Sequence, residues 1–296
     1  MSRVHAATPL SALGAALAIV LPSLAAARTI PYPVVRAESG FSAGIGALNQ
    51  DYTETANGAV LDQETGAIPV FTLSASGISS NPQGGLYWRL QGRAADGNTH
   101  YDGHYLNGAP AQTTTANTMV DIDGRVGFAY GLGRRTALIP YLALGDHHWQ
   151  RNVGSGQGAG GIEDYSNGYL GAGIRWEMVL APHLILAAHG SGGYTFGAQI
   201  TATDPVYYDA PSQTYYYARE TKSLGDRPYV AAGVRATYLL GRVWQAYVAV
   251  DAVRFAYGAS ASTPIITSSG GAMLGYYEPD SRTTQVLVTA GAGIRF

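Results

Sequence analysis

From about residue 37 onward the chain alternates apolar and polar positions with a period of two, the repeat of a half-buried strand. The C-terminus is the clearest case. Val286, Val288, Ala290, Ala292, Ile294 and Phe296 share one face, and Gln285, Leu287, Thr289, Gly291, Gly293 and Arg295 share the other. Leu170, Ala172, Ile174 and Trp176 oppose Gly171, Gly173, Arg175 and Glu177 in the same way, and Val230 to Tyr238 repeat it. The pattern predicts ten strands, over 37–52, 67–77, 84–95, 118–131, 135–148, 165–179, 183–199, 227–240, 243–257 and 282–296. Each is long enough to cross a bilayer, for which a tilted strand needs about 9–11 residues.

The connections alternate in length. Ser79–Gln83, Gly131–Arg134, Leu180–Pro182 and Gly241–Arg242 are tight, whereas 53–66, 96–117, 149–164, 200–226 and 258–281 read as long loops. Short periplasmic turns and longer external loops characterise outer-membrane barrels. An even strand number leaves both chain ends on the periplasmic side. The polarity is also inverted: aliphatic faces run uninterrupted, while the opposite faces carry glycine with balanced acids and arginines. Strands in lipid must close on themselves to pair every backbone group. The expected fold is therefore all-β, a single closed antiparallel up-and-down transmembrane β-barrel of about ten strands, occupying 28–296.

Residues 1–27 read as a signal peptide, with Arg3 and His5 ahead of an apolar run at 10–21 and small residues at Ala25 to Ala27. Only 13% of the 296 residues are charged, about half the usual share. The absence of cysteine removes disulfides and thiolate metal sites. A formal charge of −2 gives no reason to expect nucleic acid as a partner. No cofactor is implied.

With its leader, its strand–turn rhythm and its ending VLVTAGAGIRF, the chain resembles the bacterial outer-membrane β-barrel superfamily, including the OmpX-like and opacity-type small barrels. That resemblance implies an outer-membrane location among lipid and lipopolysaccharide. It also implies that Phe296 and Ile294 belong to the segment read by the barrel-assembly machinery.

Taking the charged faces inward gives a lumen network of Glu38, Asp121, Asp123, Glu177 and Asp251 with Arg89, Arg93, Arg125, Arg175, Arg235 and Arg295. Short-turn register places Arg89 and Arg93 beside Asp121 and Asp123, and Glu38 near Arg295. A barrel of about eight strands is just filled by side chains, whereas porins have about sixteen, so the lumen is expected to be plugged or very narrow. No metal site is expected; His100, Asp102 and His104 read as solvated loop residues. Phe41, Trp88, Trp176, Tyr194, Tyr238 and Trp244 are among the aromatics expected to face lipid as girdles.

Two patterns bear on catalysis. Asp121-Ile122-Asp123, with Asp102-Gly103-His104 or Asp146-His147-His148, resembles the omptin proteases, which pair an Asp-x-Asp with an Asp-x-His at the external rim; paired carboxylates and a histidine can activate water. His189-Gly190-Ser191 resembles the His-x-Ser of lipid A deacylases. Both depart from their families in position or neighbouring residue. The long loops carry Tyr207, Tyr208, Tyr215, Tyr216 and Tyr217, and Tyr276 with Tyr277, residues favoured at binding surfaces. The expected function is thus a structural or surface-interaction barrel with an external ligand at its tyrosine-rich loops. A narrow small-solute pore, or an omptin-like protease or lipid A-modifying hydrolase, is the alternative.

Overall fold

A computed structural model describes residues 29–79, 84–104, 110–154 and 161–296. The leader lies outside the described residues, as do 80–83 of the first tight turn, 105–109 and 155–160. The chain opens with a short helix, α1 (Tyr32–Ala37), which the sequence pattern did not anticipate. It is followed by β1 (Gly40–Ala56), β2 (Ala59–Ile78), β3 (Gly85–His104), β4 (Pro110–Gly131), β5 (Thr136–Val153), β6 (Ile162–Ala181), β7 (Leu184–Asp209), β8 (Thr214–Ser223), β9 (Pro228–Leu240), β10 (Trp244–Tyr257), β11 (Thr263–Thr267), β12 (Ala272–Tyr276) and β13 (Asp280–Arg295).

Ten of these strands form the barrel. Neighbours in sequence pair antiparallel from β1 to β7, then β7 meets β9, β9 meets β10, and β10 meets β13. Closure is made by β13 on β1, in unbroken register from Gly40↔Arg295 to Thr55↔Asp280. No backbone edge is left in the wall, the condition for spanning hydrocarbon. The extra strands β8, β11 and β12 lie outside the ring. β8 pairs with the upper part of β7, and β11 runs parallel to β7 at Ile266↔Tyr207 with β12 beside it.

The long loops are largely wall. The expected loop at 53–66 is instead a hairpin turning at Asn57 and Gly58, whose φ values of 51° and 81° suit a tight turn with both central residues left-handed. β3 and β4 likewise stay paired up to His104↔Pro110. On the outer surface, Ala47, Ala67, Ala94, Val120, Leu144 and Leu170 end the apolar belt. The outward polar positions that follow are Asn49, Thr65, Asp96, Thr118, Asp146 and, past Gly168, Ser166. The membrane-spanning part ends there, and the wall continues beyond it into water.

Within the belt the outward face is aliphatic and aromatic, with Ile45 at 70% and Val126 at 59% exposure. Phe41, Trp88, Tyr194, Tyr238, Trp244, Ile294 and Phe296 all face out, and Phe296 packs edge-on against Phe41. Inside, two glycines admit tyrosines lying flat against the wall. A Cβ at Gly44 would stand 2.2 Å from the Tyr247 hydroxyl, and one at Gly171 would stand 2.2 Å from that of Tyr229.

Candidate functional site

The interior is built in layers. At the periplasmic mouth α1 turns Val34 and Ala37, with Ile30 ahead of them, into an apolar cluster with Ile139, Ile185 and Leu239. Arg36 fastens the helix by donating to the Gly241 carbonyl at 2.8 Å.

An arginine-rich layer follows. Glu38 is only 2% exposed and accepts from Arg175 Nη2 at 2.7 Å, with Arg89 3.9 Å away. Arg175 Nε also donates to Glu177 at 2.5 Å. Arg235 lies over the Tyr247 ring at 3.7 Å and donates to the Thr237 hydroxyl at 3.3 Å. The expected contact between Glu38 and Arg295 does not form. Glu38 precedes β1 and turns inward across the barrel, while Arg295 donates to the carbonyls of Gly241 and Val243 at the β9–β10 turn.

Above this lies a chamber of about 140 Å³ lined by charged, polar and apolar side chains. Asp121 accepts from Arg93 Nε at 2.8 Å and meets His147 Nδ1 at 2.6 Å. Asp123 accepts from Arg125 Nε at 2.6 Å and from the Tyr169 hydroxyl at 3.0 Å. The register expectation therefore holds for Arg93 but not for Arg89, which stands opposite Arg125 and bonds Gln91 instead. Asp251 lies 3.5 Å from His189 Nε2. Ser191 also lines the chamber, with no hydrogen bond between it and His189 among the described residues.

Period-two alternation divides the histidine motifs. His147 points in to Asp121, whereas Asp146 and His148 point out. His100, Asp102 and His104 all lie on the outer surface of β3. Among the described residues no three His, Asp or Glu side chains are placed to hold one metal ion. The Asp-x-Asp thus sits in mid-barrel rather than at the rim that the omptin resemblance implies. An aspartate-oriented imidazole is suited to moving a proton, but here it is enclosed.

What closes the chamber from outside was not singled out from sequence. Trp149 stacks on Tyr165, and Tyr165 on Tyr257, with ring centroids 5.2 and 5.3 Å apart. Tyr52 meets Trp149 edge-on, and Leu48, Met119, Phe255 and Leu287 complete a fully buried cluster. Over these rings lies Arg151, 1% exposed and bound to Glu54, Glu64 and Glu163 at 3.2, 3.1 and 2.8 Å. Glu278 accepts a short hydrogen bond from Tyr165, and Asp62 accepts one from Tyr101 at 3.2 Å. Burial, reinforced by neighbouring carboxylates, pushes the Asp62 carboxyl up to about 8 and Glu163 up to about 7.

A closed ten-strand barrel with an apolar exterior, an ionic interior and a polar outer extension is a transmembrane β-barrel of the bacterial outer-membrane class. Its compartment is the outer membrane.

Scans against protein families and against curated proteins return no match. Among solved structures the chain is similar to the outer membrane protease OmpT from Escherichia coli, at 13% identity and a TM-score of 0.49, covering 88% of this chain and 98% of that one. It is also similar to the toluene transporter TodX of Pseudomonas putida (9% identity, TM-score 0.36, 89% and 91% covered). The outer membrane protein OprG from Pseudomonas aeruginosa is a further likeness (12% identity, TM-score 0.32, 88% and 97% covered). The activities in those names belong to those proteins.

Proposed function

We propose that this is a non-conducting outer-membrane barrel that presents a tyrosine-rich β-sheet to the exterior for surface recognition. The observation that carries the reading is the pairing of a side-chain-filled interior with strands that run on past the membrane. β7 extends to Asp209 and is flanked there by β8 on one side and β11 with β12 on the other. The extension carries cross-strand ring pairs in tilted contact, Tyr207 with Tyr216 and Tyr208 with Tyr215, with centroids 5.2 and 4.7 Å apart. Tyr216 and Tyr217 are about half exposed. Tyrosine supplies broad amphipathic contact area at low entropic cost. Lipopolysaccharide, with its phosphates and sugars, is the immediate neighbour of that sheet.

The reading expects silence in planar bilayers at neutral pH. Stable unitary currents would overturn it in favour of a narrow pore, the second reading, which the central chamber favours. The recognition half is tested by shortening the β7–β8 hairpin between Thr203 and Arg219. The shortened barrel should still show heat-modifiable migration but lose retention on immobilised lipopolysaccharide; equal retention would remove the sheet's role.

A further inference from the structure

The layer over the aromatic plug has a charge composition unlike any other in the lumen. Five carboxyl groups converge there: Glu54 from β1, Asp62 and Glu64 from β2, Glu163 from β6, and Glu278 from the segment between β12 and β13. Among the described residues a single cation, Arg151 from β5, is ion-paired with them. The remaining titratable neighbours are phenols: Tyr52 of β1, Tyr101 of β3 and Tyr165 of β6. Lys222 on β8 donates to the Tyr276 carbonyl at 3.1 Å.

Acids and plug are one structure. Tyr52 donates to Glu54 at 2.6 Å and lies 3.1 Å from the Tyr165 hydroxyl. Tyr165 in turn holds Glu278, and Arg151 stacks over the Tyr52 ring at 4.2 Å. Spreading the acids therefore pulls directly on the rings that close the chamber.

We propose that this acidic layer is a proton-held latch on the outer mouth, closed while Asp62, Glu163 and Glu278 keep protons and released when they ionise. The proposal rests on the closed-barrel reading above. Fully ionised, the layer would carry five negative charges against one positive in a site where Glu64 is fully buried and Glu278 is 4% exposed. Like charges at such depth repel strongly. Burial first, and the neighbouring carboxylates after it, raise the affinities of Asp62 and Glu163 for protons to about 8 and 7. Burial, with Glu54 and Glu163 nearby, raises Glu278 well above the ordinary range in the same way.

The sign follows from linkage. A carboxyl whose affinity for protons is raised in the closed form favours that form fully below the ordinary carboxylate range. The advantage erodes as pH rises and is gone above about 8. The latch is therefore shut in acid and released toward alkali.

The absence of native cysteine makes the test direct. Ser191→Cys places a thiol in the chamber, and Ser212→Cys, at the exposed β7–β8 turn, corrects for thiol ionisation. Each full-length variant, folded into oriented vesicles, is exposed from the outer side to a membrane-impermeant methanethiosulfonate at pH 5 and pH 9. After correction, labelling of Ser191→Cys should be at least about tenfold faster at pH 9, since each group titrated shifts the equilibrium tenfold per pH unit. Adding Asp62→Asn and Glu163→Gln should abolish the rise. Protection at both pH values, or a rise that survives those two changes, overturns the latch. Rapid labelling already at pH 5 overturns the closed barrel itself, so the two failures are distinguishable.

Discussion

Two ionic layers of the lumen, one on each side of the central chamber, are built from the same residue types and are opposite in bias. The inner one sets Arg89, Arg175 and Arg235 around Glu38 and Glu177. The outer one sets a lone Arg151 among Glu54, Glu64 and Glu163, with further acids beside them. Their supports differ too. The inner layer rests on an aliphatic cluster and a helix that can be removed without cutting the wall. The outer layer rests on stacked rings anchored in several wall strands. Where cations are in excess each carboxylate has alternatives, and where a lone cation holds several acids everything depends on it.

The largest expected effect follows from that asymmetry. Arg151→Ala removes the guanidinium that Glu54, Glu64 and Glu163 share and leaves these enclosed carboxylates facing one another. Breaking a buried pair by removing one partner costs about 3–5 kcal/mol, and here three pairs break at once. The variant should show a lowered unfolding temperature in heat-modifiable gel migration at pH 8, with partial recovery at pH 5, where the acids can take up protons. An unchanged transition at pH 8 would mean that the layer does not depend on Arg151.

The same change made in the inner layer should be milder. In Glu38→Gln, Arg175 keeps Glu177 at 2.5 Å, and Arg89 gives up a carboxylate that was already 3.9 Å distant. The expected loss is about 2 kcal/mol, the scale of a hydrogen bond to a charged group. A cost equal to that of Arg151→Ala would erase the distinction between the layers.

How far these layers were legible from sequence follows from what constrains each face. The lipid-facing side is imposed at every second residue by hydrocarbon, so its period survives in the chain, and Ile174 and Val234 could be placed without a structure. The inner ionic residues lie on the same strands and inherit that phase. Arg151 and Trp149 were hidden because they lie beyond the belt. There the outward face is polar, so the aliphatic repeat that marks the belt is missing around Gln150 and Asn152, and the stretch reads as loop. One local cue was available. Asn57-Gly58 is a hairpin dipeptide, and carrying β1 and β2 up to it would have brought Glu54 and Glu64 into the lumen. Helix α1, at six residues, is too short to show a helical period. The pairing of Glu38 with Arg175 crosses the barrel, and no register argument reaches across a lumen.

The smallest expected effect isolates the cause of the largest. Glu163 and Asp164 are adjacent on β6, and each holds an arginine at 2.8 Å, Glu163 binding Arg151 inside the barrel and Asp164 binding Arg219 outside it. Each is a carboxylate–guanidinium pair at the same distance, and the surroundings differ sharply: Arg151 is 1% exposed and Arg219 72%. An exposed pair is worth about 0–1 kcal/mol because water screens both charges and two long side chains lose freedom to meet. Arg219→Ala should therefore leave the unfolding transition within error of the parent at physiological salt. Moving from low to high salt should remove whatever difference remains, while the deficit of Arg151→Ala persists, because buried charges are poorly screened. If the two arginine variants were equally destabilised, enclosure within the wall could not be what gives the outer layer its weight.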